Sequence, residues 1–234
     1  MNITETRTVG EIAVEYTGSI PLFENWKIDF CCGGKKSLKE ACEQKGLPLQ
    51  EVLGTLQKKV AERMEPGEMN WKEKSVGEVI GYIEEKHHTY TRSQTALLRR
   101  LAEKVARVHG QNHAELAGLN RLVQQMSDEL DDHLAKEEQV LFTFFRKAEA
   151  GGTKGMVPVL TMPIKVMMME HETVGKQLLE ARGLTHDFTP PEDACNSFQA
   201  LYRGLADLEA DLHRHIHLKN NILFPKASEM GLAE

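Results

Sequence analysis

Residues 133–142 read His133-Leu-Ala-Lys-Glu137-Glu-Gln-Val-Leu-Phe142. An imidazole and a carboxylate four residues apart lie one above the other on a single helix face. Around them Leu119, Leu122, Met126, Leu130, Leu134, Leu141 and Phe145 recur at spacings of three and four, which predicts one long helix from about Glu115 to Lys147. A helix that carries His133 and Glu137 on one face can offer both groups to a metal inside a bundle, and carboxylate is the usual bridging group where two metals sit together.

The neighbouring segments repeat the theme. Ser75-Val-Gly-Glu78 is a capping box that opens another long helix. Its apolar stripe is Val76, Ile80, Ile83, Leu97, Leu98, Leu101, Val105 and Val108, and Gly110 ends it. A third helix is expected from about Pro163 to Ala181, after a break at Gly151, Gly152, Gly155 and Pro158. A loop from Gly183 to Pro191 comes next. Pro190-Pro191-Glu192 is expected to open a fourth helix that runs to about Leu218, and Phe224-Pro225 to mark its close. Four long helices with short connections give an all-α, up-and-down four-helix bundle over residues 75–230.

Ahead of it lies a small helical domain, residues 1–65. Thr8 caps a segment VGEIAVEY, Ile20-Pro21 opens LFENW, and Ser37-Leu-Lys-Glu40 is a capping box for SLKEACEQK, which Gly46 ends. Another helix is expected over 48–63. Pro66-Gly67 and the polar stretch to Lys74 read as a linker. Between the first helices stands Asp29-Phe-Cys31-Cys32-Gly-Gly34, a turn made by two glycines. Lys35, Lys36 and the helix start beyond them are expected to lower a thiol pKa there and make the pair redox-active, or able to bind nitric oxide, iron or a partner cluster; a buried packing pair is the plainer reading. A disulfide between adjacent cysteines is strained and not expected.

Composition narrows the class. The chain has 234 residues, 41% hydrophobic and 27% charged, as in ordinary globular proteins. A net charge of −6 argues against nucleic acid and anionic membranes as partners. No apolar run approaches the roughly 20 residues a membrane span needs. No basic stretch followed by an apolar one opens the chain, so a cytoplasmic location is expected. The four cysteines include no Cys-x-x-Cys, which argues against a zinc knuckle.

Five histidines, His88, His109, His133, His171 and His215, fall on the four long helices. A single histidine on an apolar face is ordinarily a hydrogen-bonded core residue. Five of them together with Glu137 would be costly to bury unless something were bound. Imidazole and carboxylate without thiolate suit iron, zinc or manganese; ligands spread over four helices favour two metals, hence iron. Glu170 and Asp132, beside ligand positions, are candidates to orient them, or plain solvated charges.

These strings carry a resemblance. Asp29-Phe-Cys-Cys-Gly-Gly-Lys35, His133-Leu-Ala-Lys-Glu137-Glu-Gln-Val-Leu-Phe142, Met169-Glu-His171-Glu172 and His215-Ile-His-Leu-Lys219-Asn-Asn-Ile-Leu-Phe-Pro225 resemble the iron–sulfur cluster repair di-iron proteins, the repair-of-iron-centres family. The resemblance spans nearly the whole chain. It implies a hemerythrin-like bundle holding two non-haem irons, and an activity that repairs clusters damaged by nitric oxide or oxidants, by supplying iron or processing nitric oxide. It implies damaged iron–sulfur proteins as partners, nitric oxide or O₂ as small ligands, and a homodimer. The ligand set it implies is His88, His109, His133, Glu137, His171 and His215. Helical phase favours His87 over His88 as the first of these; the family motif favours His88. Family members carry a bridging glutamate where this chain has Lys219, so one iron in place of two is an open outcome. The lysine could turn outward, pair with Glu137, or lose its proton on burial. Two other readings stand beside repair: an O₂ or nitric oxide carrier or sensor without turnover, and a relative depleted of metal by Lys219.

Overall fold

The computed structural model describes residues 3–61, 70–151 and 161–230, with the side chains of residues 60, 61 and 161 excepted. The expected linker at Pro66-Gly67 and the breaks at Gly152, Gly155 and Pro158 lie outside the described residues. Among those described, regular structure is helical; the one β-type pairing is an isolated bridge, Thr8 with Ser37. The chain divides into two compact units, 1–79 with 213–234, and 80–212.

The N-terminal part of the first unit runs through α1 (Val9–Glu15), α2 (Ile20–Asn25), α3 (Leu38–Lys45) and α4 (Leu49–Ala61). The caps are those the sequence predicts. Thr8 accepts from the Glu11 amide and Ser37 from the Glu40 amide, and each glutamate reaches back to its cap. Gly46 ends α3 at φ 64°, a left-handed position suited to glycine. The two cap residues are also the bridge, tied by Val9 N–H to Lys36 O at 2.9 Å and Leu38 N–H to Arg7 O at 2.8 Å. Val9, Ile12, Phe23, Phe30, Leu38, Val52 and Leu56 form the core. The same unit holds the chain from His213 onward. Its π-helical turn Lys219–Leu223 presents Asn221, whose amide donates to Phe30 O at 3.0 Å, and the His217 and Phe30 rings meet edge on at 5.4 Å. Gly10 and Gly34 permit this approach; a Cβ on Gly34 would stand 2.8 Å from Phe30 O and 2.9 Å from Asn221 Oδ1. Burial pushes the His217 imidazole down to about 4, against a backbone hydrogen bond to Phe30.

The second unit holds residues 80–212 of the helical bundle. α5 (Val76–Tyr82) starts it on the expected Ser75 capping box, with Ser75 N–H to Glu78 at 2.8 Å and Glu78 N–H to Ser75 Oγ at 3.1 Å. A π-helical turn, Ile83–His88, leads into α6 (Thr89–His109). α7 (Glu115–Lys136) passes through a second π turn, Glu137–Phe142, into α8 (Thr143–Glu149). α9 (Thr161–Leu184) and α10 (Asn196–Leu218) complete the four, and a short α11 (Phe224–Glu229), in the first unit, comes after the π turn Lys219–Leu223. α6 packs on α7 and α7 on α9. The core is a Leu-rich column through Leu98, Leu119, Val123, Met126, Leu130, Leu178, Phe198, Leu205 and Leu208.

Three details differ from expectation. Leu97 and Val108 face solvent, at 41% and 61% exposure, because the helix presents Leu98, Ala102 and Val105 instead. Pro190-Pro191-Glu192 makes a turn, not a helix start: Ala194 N–H bonds Pro191 O at 3.0 Å, and α10 begins at Asn196. Phe224-Pro225 opens α11 and does not close the chain's helical course, since proline is tolerated in a first turn.

The α9–α10 connection is strained and clamped. His186, Asp187 and Phe188 have φ of 48°, 57° and 58°. Arg182 donates to Asp187 at 2.8 Å, lies 5.0 Å over the Phe188 ring, and binds Glu209, which is 4% exposed, through several guanidinium hydrogen bonds. Removing one partner of such a pair strands a buried charge. Arg182→Met is expected to destabilise the protein by about 3–5 kcal/mol, and Arg182→Met/Glu209→Leu to recover most of the loss. Urea titration followed by far-ultraviolet circular dichroism checks this; a double variant no better than the single one contradicts it.

Candidate metal centre

The centre of the second unit is Glu137, which opens the π turn after α7 and is 0% exposed. Its two oxygens face different histidines. Oε2 stands 3.3 Å from His88 Nε2. Oε1 stands 3.3 Å from His133 Nε2 and 3.8 Å from His171 Nε2, and these two nitrogens are 3.2 Å apart. All three histidines are buried, at 0%, 3% and 1% exposure. His133, Glu137 and His171 bring one ligand atom each within 4.8 Å of one another.

The far side of two rings is anchored. His88 Nδ1 meets Glu138 at 2.7 Å, and Arg92 holds that carboxylate with two bonds of 2.9 Å. His133 Nδ1 meets Glu170 at 2.6 Å, and Lys136 holds that carboxylate at 2.8 Å. Burial alone would raise both carboxyls; the Arg92 and His88 bonds to Glu138, and the Lys136 and His133 bonds to Glu170, outweigh it and hold them below the ordinary range. A carboxylate at Nδ1 keeps the proton there and leaves the lone pair on Nε2, pointed at Glu137. Phe142 stacks on His88 with ring centres 5.6 Å apart.

This donor set fits metal ligation. Nitrogen lone pairs and carboxylate oxygens converge, and acceptors facing acceptors at 3.3 Å are stable with cations among them. Glu137 has a separate imidazole group at each of its two oxygens. The ligands are nitrogen and oxygen without sulfur, which suits non-haem iron.

The expected ligands divide between this cluster and other parts of the fold. His88 lies in the cluster and His87 does not: His87 Nδ1 meets Asp211 at 2.9 Å. Helical phase would favour His87 only in an unbroken α-helix. The π turn Ile83–His88 carries an extra residue and rotates the helix beyond it. His109 is a correction. It lies 21 residues beyond His88 on a continuous helical run, roughly 31 Å away at about 1.5 Å per residue. Its Nε2 contacts Cys195 Sγ at 3.2 Å, and its ring packs on Phe198. Of the two candidate orienting carboxylates, Glu170 takes that position and Asp132 is exposed. Glu138 does the same for His88; its signal, a second glutamate directly after Glu137, was in the sequence without a partner to give it meaning. His215, on α10, is 1% exposed. Lys219 opens the last π turn and is also 1% exposed, so the expectation that it could turn outward is overturned.

The cysteine turn also departs from expectation. Asp29 Oδ1 accepts from Cys31 N–H at 3.1 Å, Cys32 N–H at 2.9 Å and Cys31 Sγ at 3.3 Å. The Cys31 thiol is raised well above its usual value by its Cys32 neighbour, by burial and by Asp29, not lowered by Lys35 and Lys36, which are exposed. Neither thiol is in a disulfide.

Two family models match the chain: the Hemerythrin HHE cation binding domain over residues 80–227, and the Domain of Unknown function (DUF542) over residues 5–60. The chain is 38% identical to the iron-sulfur cluster repair protein YtfE of Musicola paradisiaca (strain Ech703), covering 94% of this chain and 96% of that protein. It is 38% identical to the probable iron-sulfur cluster repair protein of Haemophilus influenzae, covering 93% and 95%. The YtfE protein of Pectobacterium carotovorum subsp. carotovorum is 36% identical over 94% and 96%.

Anchoring of the rings should be measurable. Glu138→Gln and Glu170→Gln should each weaken iron binding about 10–100-fold, the usual effect of losing a carboxylate behind a ligating imidazole. His109→Ala should leave iron content unchanged. Chelator competition with total iron analysis reads all three.

Proposed function

Because the chain belongs to the family of hemerythrin-type iron–sulfur cluster repair proteins, we propose that it is a non-haem di-iron protein that restores iron–sulfur clusters damaged by nitric oxide or oxidants. The observation that carries this reading is Glu137, buried with His88 at one oxygen and His133 and His171 at the other. His88, His133, Glu137 and His171 are the ligands we assign, with His215 added from the family motif and from its place one turn beyond Asp211 on α10.

Bound iron would supply a redox centre able to take nitric oxide or O₂, or serve as cargo for a damaged cluster. The chain's own contribution is positioning. Arg92 and Glu138 lock His88, Lys136 and Glu170 lock His133, and Phe142 shields the first ring from water. Residues 1–65 form the module assigned to dimerisation or client contact, and 75–230 the metal-binding module. The protein is assigned to the cytoplasm, and no helix among the described residues is long and apolar enough to cross a membrane.

Lys219 stands where the family motif carries its second bridging carboxylate. An ammonium held near a dication at that place in the motif would repel it by on the order of several kcal/mol at an effective dielectric of about 20. This favours one tightly held iron, or a neutral lysine, in this chain. A carrier or sensor of O₂ or nitric oxide is the second reading, and a metal-depleted relative the third; a site organised around Glu137 speaks against the last.

The test is recovery of a cluster enzyme inactivated by nitric oxide. Iron-loaded protein should restore its activity, and Glu137→Ala, which loses most of its iron, should not. Equal recovery with Glu137→Ala overturns the repair role assigned to this centre. Lys219→Glu should raise iron retained under chelator challenge toward two per chain and bring up the near-ultraviolet bands of a bridged pair. Two irons held as firmly by the parent would show that the lysine does not perturb the site.

A further inference from the structure

The Asp29–Gly34 turn carries a second set of converging donors, in the first unit. Asp29, Cys31 and Cys32 bring one ligand atom each within 4.8 Å of one another. The two sulfurs are 3.9 Å apart, and Cys31 Sγ lies 3.3 Å from Asp29 Oδ1. With metal–sulfur bonds of about 2.3 Å, sulfurs 3.9 Å apart subtend about 116° at a shared ion. With a metal–oxygen bond of about 2.0 Å, the 3.3 Å separation corresponds to about 100°. The two angles bracket the tetrahedral value. Both separations from Cys31 Sγ therefore match those of neighbouring corners of a tetrahedron around one ion, and the third pair, Cys32 with Asp29, lies within 4.8 Å.

The turn is also held rigid. The Asp29 carboxylate accepts the Cys31 and Cys32 amides at 3.1 and 2.9 Å. Phe30 O and Cys31 O are gripped by the Asn221 and Asn220 side chains at 3.0 and 3.3 Å, and Gly10 N–H bonds Gly34 O at 2.8 Å. Gly33 makes room for the carboxylate: a Cβ there would stand 3.0 Å from Asp29 Oδ2. Preorganised donors lose little freedom when an ion arrives. Asp29 is exposed and Cys32 half-buried, so the fourth corner faces water.

We propose that Asp29, Cys31 and Cys32 form a second metal site, separate from the bundle centre, for one borderline-soft divalent ion such as Fe²⁺ or Zn²⁺, bound by two thiolates and a carboxylate with one position open to an incoming ligand. Thiolate donors separate its preference from that of the nitrogen–oxygen set around Glu137. The open position gives it the character of a site that exchanges its ion, where a closed four-ligand site would keep it.

Cobalt(II) is the probe, because thiolate-to-cobalt charge-transfer bands and intense tetrahedral ligand-field bands report sulfur ligation directly. The reduced full-length apoprotein is titrated anaerobically. One equivalent should develop these bands in the parent and in Glu137→Gln. Cys32→Ser should lose them, Cys31→Ser should lose them, and Asp29→Asn, which keeps an oxygen acceptor for the turn amides, should weaken binding. Fe²⁺ or Zn²⁺ should then bleach the bands, and the more effective of the two names the preferred ion. Absence of thiolate bands in the parent, or their survival in both Cys31→Ser and Cys32→Ser, overturns the assignment. Loss of repair activity with the cobalt bands intact would count against the function of the bundle and not against this site.

Discussion

A carboxylate removed from water costs on the order of several kcal/mol unless positive charge or hydrogen-bond donors meet it, and Glu137 is removed from water altogether. Much around it stems from that requirement. Imidazoles from three helical segments turn their Nε2 atoms toward it. Their other nitrogens must then be satisfied elsewhere, and Glu138 and Glu170 do this for His88 and His133. Those carboxylates in turn need cations, and Arg92 and Lys136 reach in from the surface to supply them. Charge alternates outward from the centre in layers, so the buried layer is held by neighbours that are themselves partly solvated.

Much of this was legible from sequence, because helices advertise their starts and faces. Thr8, Ser37 and Ser75 are caps as predicted, since a hydroxyl followed three residues later by glutamate satisfies the first free amides reciprocally. His133 and Glu137 share a face because four residues is close to one α turn. What failed were the inferences that needed distance or phase. His109 matched the chemistry of a ligand, yet 21 residues of helix carry it to the opposite end of α6, where it meets Cys195. His87 matched the apolar phase, yet a π turn shifts the register and turns it to Asp211. Composition near Cys31 suggested an activated thiol; its Cys32 neighbour, burial and the Asp29 carboxylate raise it instead.

Lys219 illustrates a different limit. Its identity was plain in the sequence, and its consequence depended on whether the side chain was in water. At 1% exposure it is as deeply placed as the histidines. A lysine rarely occupies such a position without a compensating partner, and it differs from the glutamate of the family motif by two units of formal charge.

Three π turns among the described residues, Ile83–His88, Glu137–Phe142 and Lys219–Leu223, sit at His88, Glu137 and Lys219. Each holds one more residue in its turn than an α-helix would, and so sets the rotational offset of everything beyond it. Losing a single residue from one of them would return the helix to a regular course while rotating the next segment by about 100°. Loops can grow or shrink over evolutionary time without touching the interior. These helical stretches cannot, so lineages that keep the centre are expected to keep their lengths unchanged there and to confine insertions to the connections.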